Sequence, residues 1–85
     1  MCKETDIITN KQDEIRDAIY KEIDRGVTKL PAYGGYTNEE KSILMVVAYQ
    51  TEFTKMKQVV QTIDPTAFVI VSDAYEVLGE GFKRY

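Results

Sequence analysis

The residues that could do chemistry in this chain are few, and their types exclude more than they suggest. Among its 85 residues there is no histidine and a single cysteine, Cys2. A Ser-His-Asp or Cys-His relay needs an imidazole to carry the proton, and a zinc site of ordinary spacing needs several His or Cys ligands. Neither is available, so no catalytic residue, metal ligand or cofactor is assigned. The carboxylates Asp13, Glu14, Asp17, Glu22 and Asp24 mostly fall off the apolar stripe of the helix that carries them. That is the pattern of a solvated helix face rather than of an acid-base pair. The expectation is a protein that is not an enzyme.

Two glycine-bearing segments could bind rather than react. Between Pro31 and Glu40, Gly34 and Gly35 can adopt positive φ or leave backbone N–H groups free to face an anion. Tyr36 and Thr37 follow with hydroxyls, and Lys41 returns a positive charge at the exit. Arg25 and Thr28, at a helix-to-strand junction, would add a charge and a hydroxyl if they reach the same cleft. Gly79-Glu80-Gly81 has similar backbone freedom. It lacks the third glycine and following helix of a dinucleotide fingerprint, and the Lys-Ser/Thr of a P-loop. A small anionic ligand held by Arg25, Thr28, Gly34, Gly35, Tyr36, Thr37, Lys41, Gly79, Glu80 and Gly81 is the binding reading; a plain hairpin loop and a plain turn are the alternatives.

These residues need a scaffold, and the hydropathy pattern supplies one. Thr5 to Thr9 is a short β-prone segment with only Ile7 and Ile8 apolar, which reads as a frayed or edge strand. Asn10 caps a helix whose stripe is Ile15, Ala18, Ile19 and Ile23, and Gly26 stops it. Val27 to Leu30 forms a second strand, and Pro31 to Glu40 a loop. The third strand is the unbroken apolar run Ile43 to Ala48. A second amphipathic helix follows Thr51 through Phe53, Met56, Val59, Val60 and Ile63, and ends near Asp64 because Pro65 disfavours helix before it. The fourth strand is the apolar run Ala67 to Val71. Beyond it, Tyr75 to Leu78 reads as a short extra strand in preference to a helical turn capped by Asp73.

The order is β-α-β-β-α-β in one domain, residues 1–85. Right-handed crossovers place both helices on one face of an antiparallel sheet, the ferredoxin-like α+β sandwich. Continuous apolar runs read as strands buried on both sides. Two helices cover one face only, leaving roughly 350 to 400 Å² of sheet uncovered. That face is expected to meet further copies of the chain, as a dimer or trimer, through Leu44, Val46, Val47, Phe68 and Ile70.

Charge narrows the partners. Eleven basic against 14 acidic residues give a net charge of −3, with no basic cluster, so a phosphate backbone or an anionic membrane surface is disfavoured. An RNA-recognition module shares the element order but needs stacking aromatics on its central strands; the third strand has none, and nucleic acid is excluded. One cysteine permits no internal disulfide, no apolar run reaches a membrane span, and the isolated chain is expected to be soluble and cytoplasmic.

Four segments together carry a resemblance: Arg25-Gly26-Val27-Thr28; Gly34-Gly35-Tyr36-Thr37; Ile63-Asp64-Pro65 with Ala67-Phe68-Val69-Ile70-Val71-Ser72-Asp73; and Glu76-Val77-Leu78-Gly79-Glu80-Gly81-Phe82. In this order and spacing they resemble the C-terminal domain of YitT-type bacterial membrane proteins, over nearly the whole chain. The resemblance implies a domain excised from the C-terminus of a longer protein, joined to a multi-pass region in the cell membrane and lying on its cytoplasmic side. It brings no catalytic residue with it. The family is in turn similar in fold to the PII (GlnB-like) nitrogen-signalling group, whose subunits trimerise through their sheets and bind nucleotide near the loop between the second and third strands. By that analogy Gly34 to Thr37 would lie in a signalling loop, although this loop is short and lacks a phosphate-binding Lys/Arg pair. The functional expectation is a ligand-sensing regulatory domain acting through oligomerisation; the alternative is a passive oligomerisation module without a ligand.

Overall fold

The computed structural model describes residues 2–74 and 76–79. Six elements follow one another: β1 (Cys2–Ile8), α1 (Gln12–Ile23), β2 (Thr28–Tyr33), β3 (Glu40–Tyr49), α2 (Gln50–Ile63) and β4 (Phe68–Ala74). The strands form one antiparallel sheet in the order β2-β3-β1-β4. Ile15, Ile19 and Ile23 of α1 and Met56 and Val60 of α2 are buried with Ile7 of β1 and Leu44, Val46 and Ala48 of β3. Both helices therefore cover the same side of the sheet, and the expected ferredoxin-like arrangement holds.

The strand read as a frayed edge is in fact a central one. β1 starts at Cys2 and pairs along its whole length with β3 on one side and β4 on the other. Its polar residues misled because a central strand was equated with an apolar one. Thr5 and Ile7 face the helices, while Glu4 and Asp6 alternate with them toward the side away from the helices, where both are half-buried.

The two apolar runs are not buried on both sides, as their continuity suggested. In β3 the pattern alternates: Leu44, Val46 and Ala48 are buried under the helices, and Ile43, Met45, Val47 and Tyr49 are half-buried on the other side. β4 is the outermost strand, and Phe68, Ile70 and Val71 are 64 %, 47 % and 39 % exposed. Neither helix packs extensively on it.

Local chemistry moved several boundaries. Lys11, not Asn10, occupies the N-cap of α1, and the Thr9 hydroxyl accepts a hydrogen bond from the Lys11 N–H at 3.0 Å. Asp24, not Gly26, ends the helix: it takes the left-handed conformation (φ 59°) and its N–H donates to the Tyr20 carbonyl at 3.1 Å. α2 begins at Gln50, one residue before Thr51, because the Glu52 carboxylate accepts the Tyr49 N–H at 2.9 Å. β2 continues through Pro31 to Tyr33, where a loop was expected; at a sheet edge the missing N–H can face outward. The helical turn from Asp73 is overturned because Asp73 lies within β4. Glu76 to Leu78 are irregular and Gly79 makes an isolated bridge, so the extra strand is not seen there; Tyr75 lies outside the described residues.

Candidate functional site

The residues grouped by sequence into one anion cleft stand at opposite ends of the sheet. Thr28 pairs with Met45 and Tyr33 with Glu40, so the length of β2, about 17 Å, separates Arg25 and Thr28 from the loop at residues 34–39. Arg25 is engaged in structure: its Nε donates to Glu52 Oε1 at 3.0 Å, and its guanidinium lies 4.8 Å from the centre of the Tyr49 ring. It clasps the turn after α1 to the start of α2. Thr28 is exposed at the start of β2.

At the other end the loop closes on itself. The Gly34 N–H donates to the Glu39 carbonyl at 2.9 Å, the Asn38 N–H to the Gly34 carbonyl at 2.7 Å, and the Glu39 N–H to the Thr37 hydroxyl at 3.3 Å. Neither Gly34 nor Gly35 takes a positive φ; Asn38 does, at 57°. At Gly34 the issue is space instead, since a Cβ there would stand 2.9 Å from Thr37 Oγ1 and push that side chain aside. Tyr36 is fully exposed and points away from the body of the protein. Lys41 lies in a crevice with Lys11, Asp13, Glu14, Glu39 and Glu40. Four carboxylates against two ammonium groups make that crevice a poor anion site. Gly79 stands apart with φ 142°, and Glu80 and Gly81 lie outside the described residues.

The five residues expected on the uncovered face divide in the same way. Leu44 and Val46 are 0 % exposed beneath the helices and cannot form part of that face; in a continuous apolar run the two sides of a strand cannot be told apart without its register. Val47, Phe68 and Ile70 do lie on it. Cross-strand pairing arranges the face in rows: Leu30, Ile43, Ile8 and Phe68; then Thr28, Met45, Asp6 and Ile70; then Val47, Glu4 and Ser72. The result is an apolar surface with two carboxylates of β1 at its centre. Asp6 Oδ1 is buried there and has no hydrogen-bond partner among the described residues.

One polar node was missed. Asp64 is 7 % exposed and accepts hydrogen bonds from the Thr9 hydroxyl (2.5 Å), the Thr66 hydroxyl (2.7 Å) and the Thr66 N–H (3.1 Å). The Thr9 bond first, then those from Thr66, hold its carboxyl below the usual carboxylate range. The node ties the end of β1 to the turn that launches β4. Its signal was the Asp-Pro-Thr sequence, which favours a side-chain-capped turn. Among the described residues no group of three or more His, Cys, Asp or Glu could hold a metal ion, and no helix is long and apolar enough to cross a membrane.

With the geometry in place, residues 25–79 match the model of a family described as an uncharacterized protein conserved in bacteria, DUF2179. The chain belongs to the DUF2179 family. Over 78 residues it is 68 % identical to an uncharacterized protein in the cccA 5′ region of Bacillus sp. PS3, covering 92 % of this chain and 52 % of that one. It is 60 % identical over 78 residues to the UPF0750 membrane protein YvjA of Bacillus subtilis and 37 % over 73 residues to the UPF0750 membrane protein YitT. Those alignments cover 92 % and 86 % of this chain but 28 % and 26 % of the two relatives. This DUF2179 chain thus spans about half the length of the first relative and about a quarter of the membrane proteins, and the expected kinship with the YitT type stands. A crystal structure of a DUF2179 protein from Eubacterium ventriosum superposes with a TM-score of 0.74 at 35 % identity, over 85 % of this chain and 99 % of that one. A functionally unknown protein from Pediococcus pentosaceus shares the fold, with a TM-score of 0.64 at 14 % identity over 99 % of this chain and 96 % of that one.

Proposed function

We propose that this DUF2179 chain is an association module of a UPF0750-type membrane protein, lying on the cytoplasmic side and joining copies of its parent through exposed apolar residues of the sheet. The observation that carries this reading is the sheet itself: one side is covered by two helices, while the other side and the outer strands keep Leu30, Phe68, Ile70 and Val71 exposed. Surfaces of this kind on small domains mark places of association. Size sets the strength. The face offers roughly 350 to 400 Å², against about 800 Å² per partner in a standard interface, so association of the isolated chain is weak. Confinement of a parent in a membrane would supply the missing effective concentration.

Ligand sensing, the other reading, loses its site, because Arg25 is held by Glu52 and Tyr49 about 17 Å from the loop it was to join. The solution mass of the 85-residue chain by light scattering, from micromolar to millimolar, tests both readings. A mass rising from monomer to dimer or trimer, unchanged by adenine nucleotides, is expected. A constant monomer overturns association, and a nucleotide-dependent mass restores sensing.

A further inference from the structure

The sheet has two outer edges, and they are built differently. The β2 edge carries Lys29, ion-paired with Asp13, and Pro31, which has no N–H. Lysine and proline are the residues that keep an edge from pairing with another chain. The β4 edge has neither. Its residues Phe68, Val69, Ile70 and Val71 are aromatic or β-branched, three of the four are exposed, and among the described residues no strand lies beyond them. An outermost strand presents a row of backbone donors and acceptors on its free side, which is a template for a further strand.

We propose that two copies of this chain pair through β4, antiparallel about a two-fold axis at Ile70, to form one eight-stranded sheet with all four helices on the same side. The proposal rests on the association reading and names its route. The two-fold keeps the uncovered faces of both copies on one side, so only certain registers are open. Centred on Val71, β4 overlaps along its whole length, but Val69 then faces Asp73 of the second copy, a carboxylate already paired with Lys3. Centred on Val69, only residues 68–70 of each strand overlap. Centred on Ile70, residues 68–72 overlap: Ile70 meets Ile70, Val69 meets Val71 and Phe68 meets Ser72 of the second copy. That is the longest overlap that leaves Asp73 outside, and it matches β-branched side chains across the new strand pair. A second copy is the occupant because the edge is self-complementary and uncharged over this stretch. The blocked β2 edge prevents β4 from pairing head to tail with β2, so the assembly closes as a dimer and does not grow into a fibre.

The test uses the 85-residue chain. In a Cys2→Ala background, Ile70→Cys places two thiols on residues directly opposite each other, where Cα atoms stand about 4.5 to 5.5 Å apart, within disulfide range. Mild oxidation is expected to give a covalent dimer. Val71→Lys points to the helix side of β4, away from the uncovered face, and changes two cross-strand pairs per dimer; the dimer dissociation constant should rise about tenfold or more. Val47→Lys, two strands in from the edge, should leave it unchanged. Thermal melts confirm that each variant is folded. If Val47→Lys dissociates the dimer, Val71→Lys does not and Ile70→Cys fails to cross-link, copies pack face to face: association stands and edge pairing is overturned. A chain that is monomeric up to millimolar concentration overturns both.

Discussion

The third and fourth strands look alike in sequence and live in different environments. Ile43 to Ala48 and Ala67 to Val71 are both unbroken apolar runs, yet β3 is an inner strand whose alternate residues are sealed under two helices, while β4 is an outer strand exposed along most of its length. The contrast is sharpest within one row. Val46, Thr5 and Val71 lie side by side on the helix-facing side of the sheet, and Val46 is 0 % exposed while Val71 is 39 % exposed. The helices sit over the middle of the sheet and stop short of β4. A continuous apolar run therefore reports that a strand shuns charge on both sides, not that both sides are buried in the same chain.

That contrast can be attacked by pairing each change in β3 with its neighbour in β4. The largest difference is expected from a buried charge: Val46→Glu should abolish the folded circular-dichroism spectrum, whereas Val71→Glu should fold, because its carboxylate reaches water. Similar melting curves for the two would erase the distinction. Truncation is milder. Leu44→Ala should cost about 3 kcal/mol in chemical denaturation, a large share of a small domain's stability, and Val69→Ala, in the same row toward the edge, less than about 1.5 kcal/mol.

Asp64 allows the strands to be separated without touching either. Asp64→Asn should lower the melting temperature by about 5 to 10 °C and speed amide exchange at the start of β4 while leaving β3 protected. The sign with pH follows from the depressed carboxyl. Its contribution is fully present above the unfolded value near pH 4 and fades as pH falls through the lower folded value, so the wild type should lose stability more steeply below pH 4 than the Asn variant. The smallest effect concerns the hairpin that leads into β3. Gly34→Ala should cost less than about 1 kcal/mol, because its Cβ must displace Thr37 Oγ1, and Gly35→Ala should be neutral in the same melt.

Much of the fold was legible because the helices advertise themselves. Ile15, Ile19 and Ile23, and Met56 and Val60, recur at helical spacing, and Pro65 marks where α2 must end. With two helices and four β-prone segments in alternation, the ferredoxin-like order followed. The place of β1 did not, because only Ile7 and Ile8 are apolar between Thr5 and Thr9, and apolar content alone does not reveal that both edges of the strand are paired. The candidate site was less legible still. Arg25 and Gly34 are near in sequence, but the strand between them carries the chain straight from one end of the sheet to the other. Leu44 and Val46 were put on the uncovered face because parity, which decides the side of a strand, is invisible in a run without polar residues. The Asp64 node depends on Thr9, fifty-five positions away, and no local pattern announces that partner.

The pairing of Cys2 with Ala74 has a mechanical consequence. The beginning of β1 and the end of β4 lie side by side at one end of the sheet, and the hairpin at residues 34–39 lies at the other. Tension applied through chain attached at both points would peel β1 from β4 one hydrogen bond at a time, like a zipper, instead of shearing the whole ladder at once. Along the seam between β1 and β4 this domain yields to such a pull bond by bond.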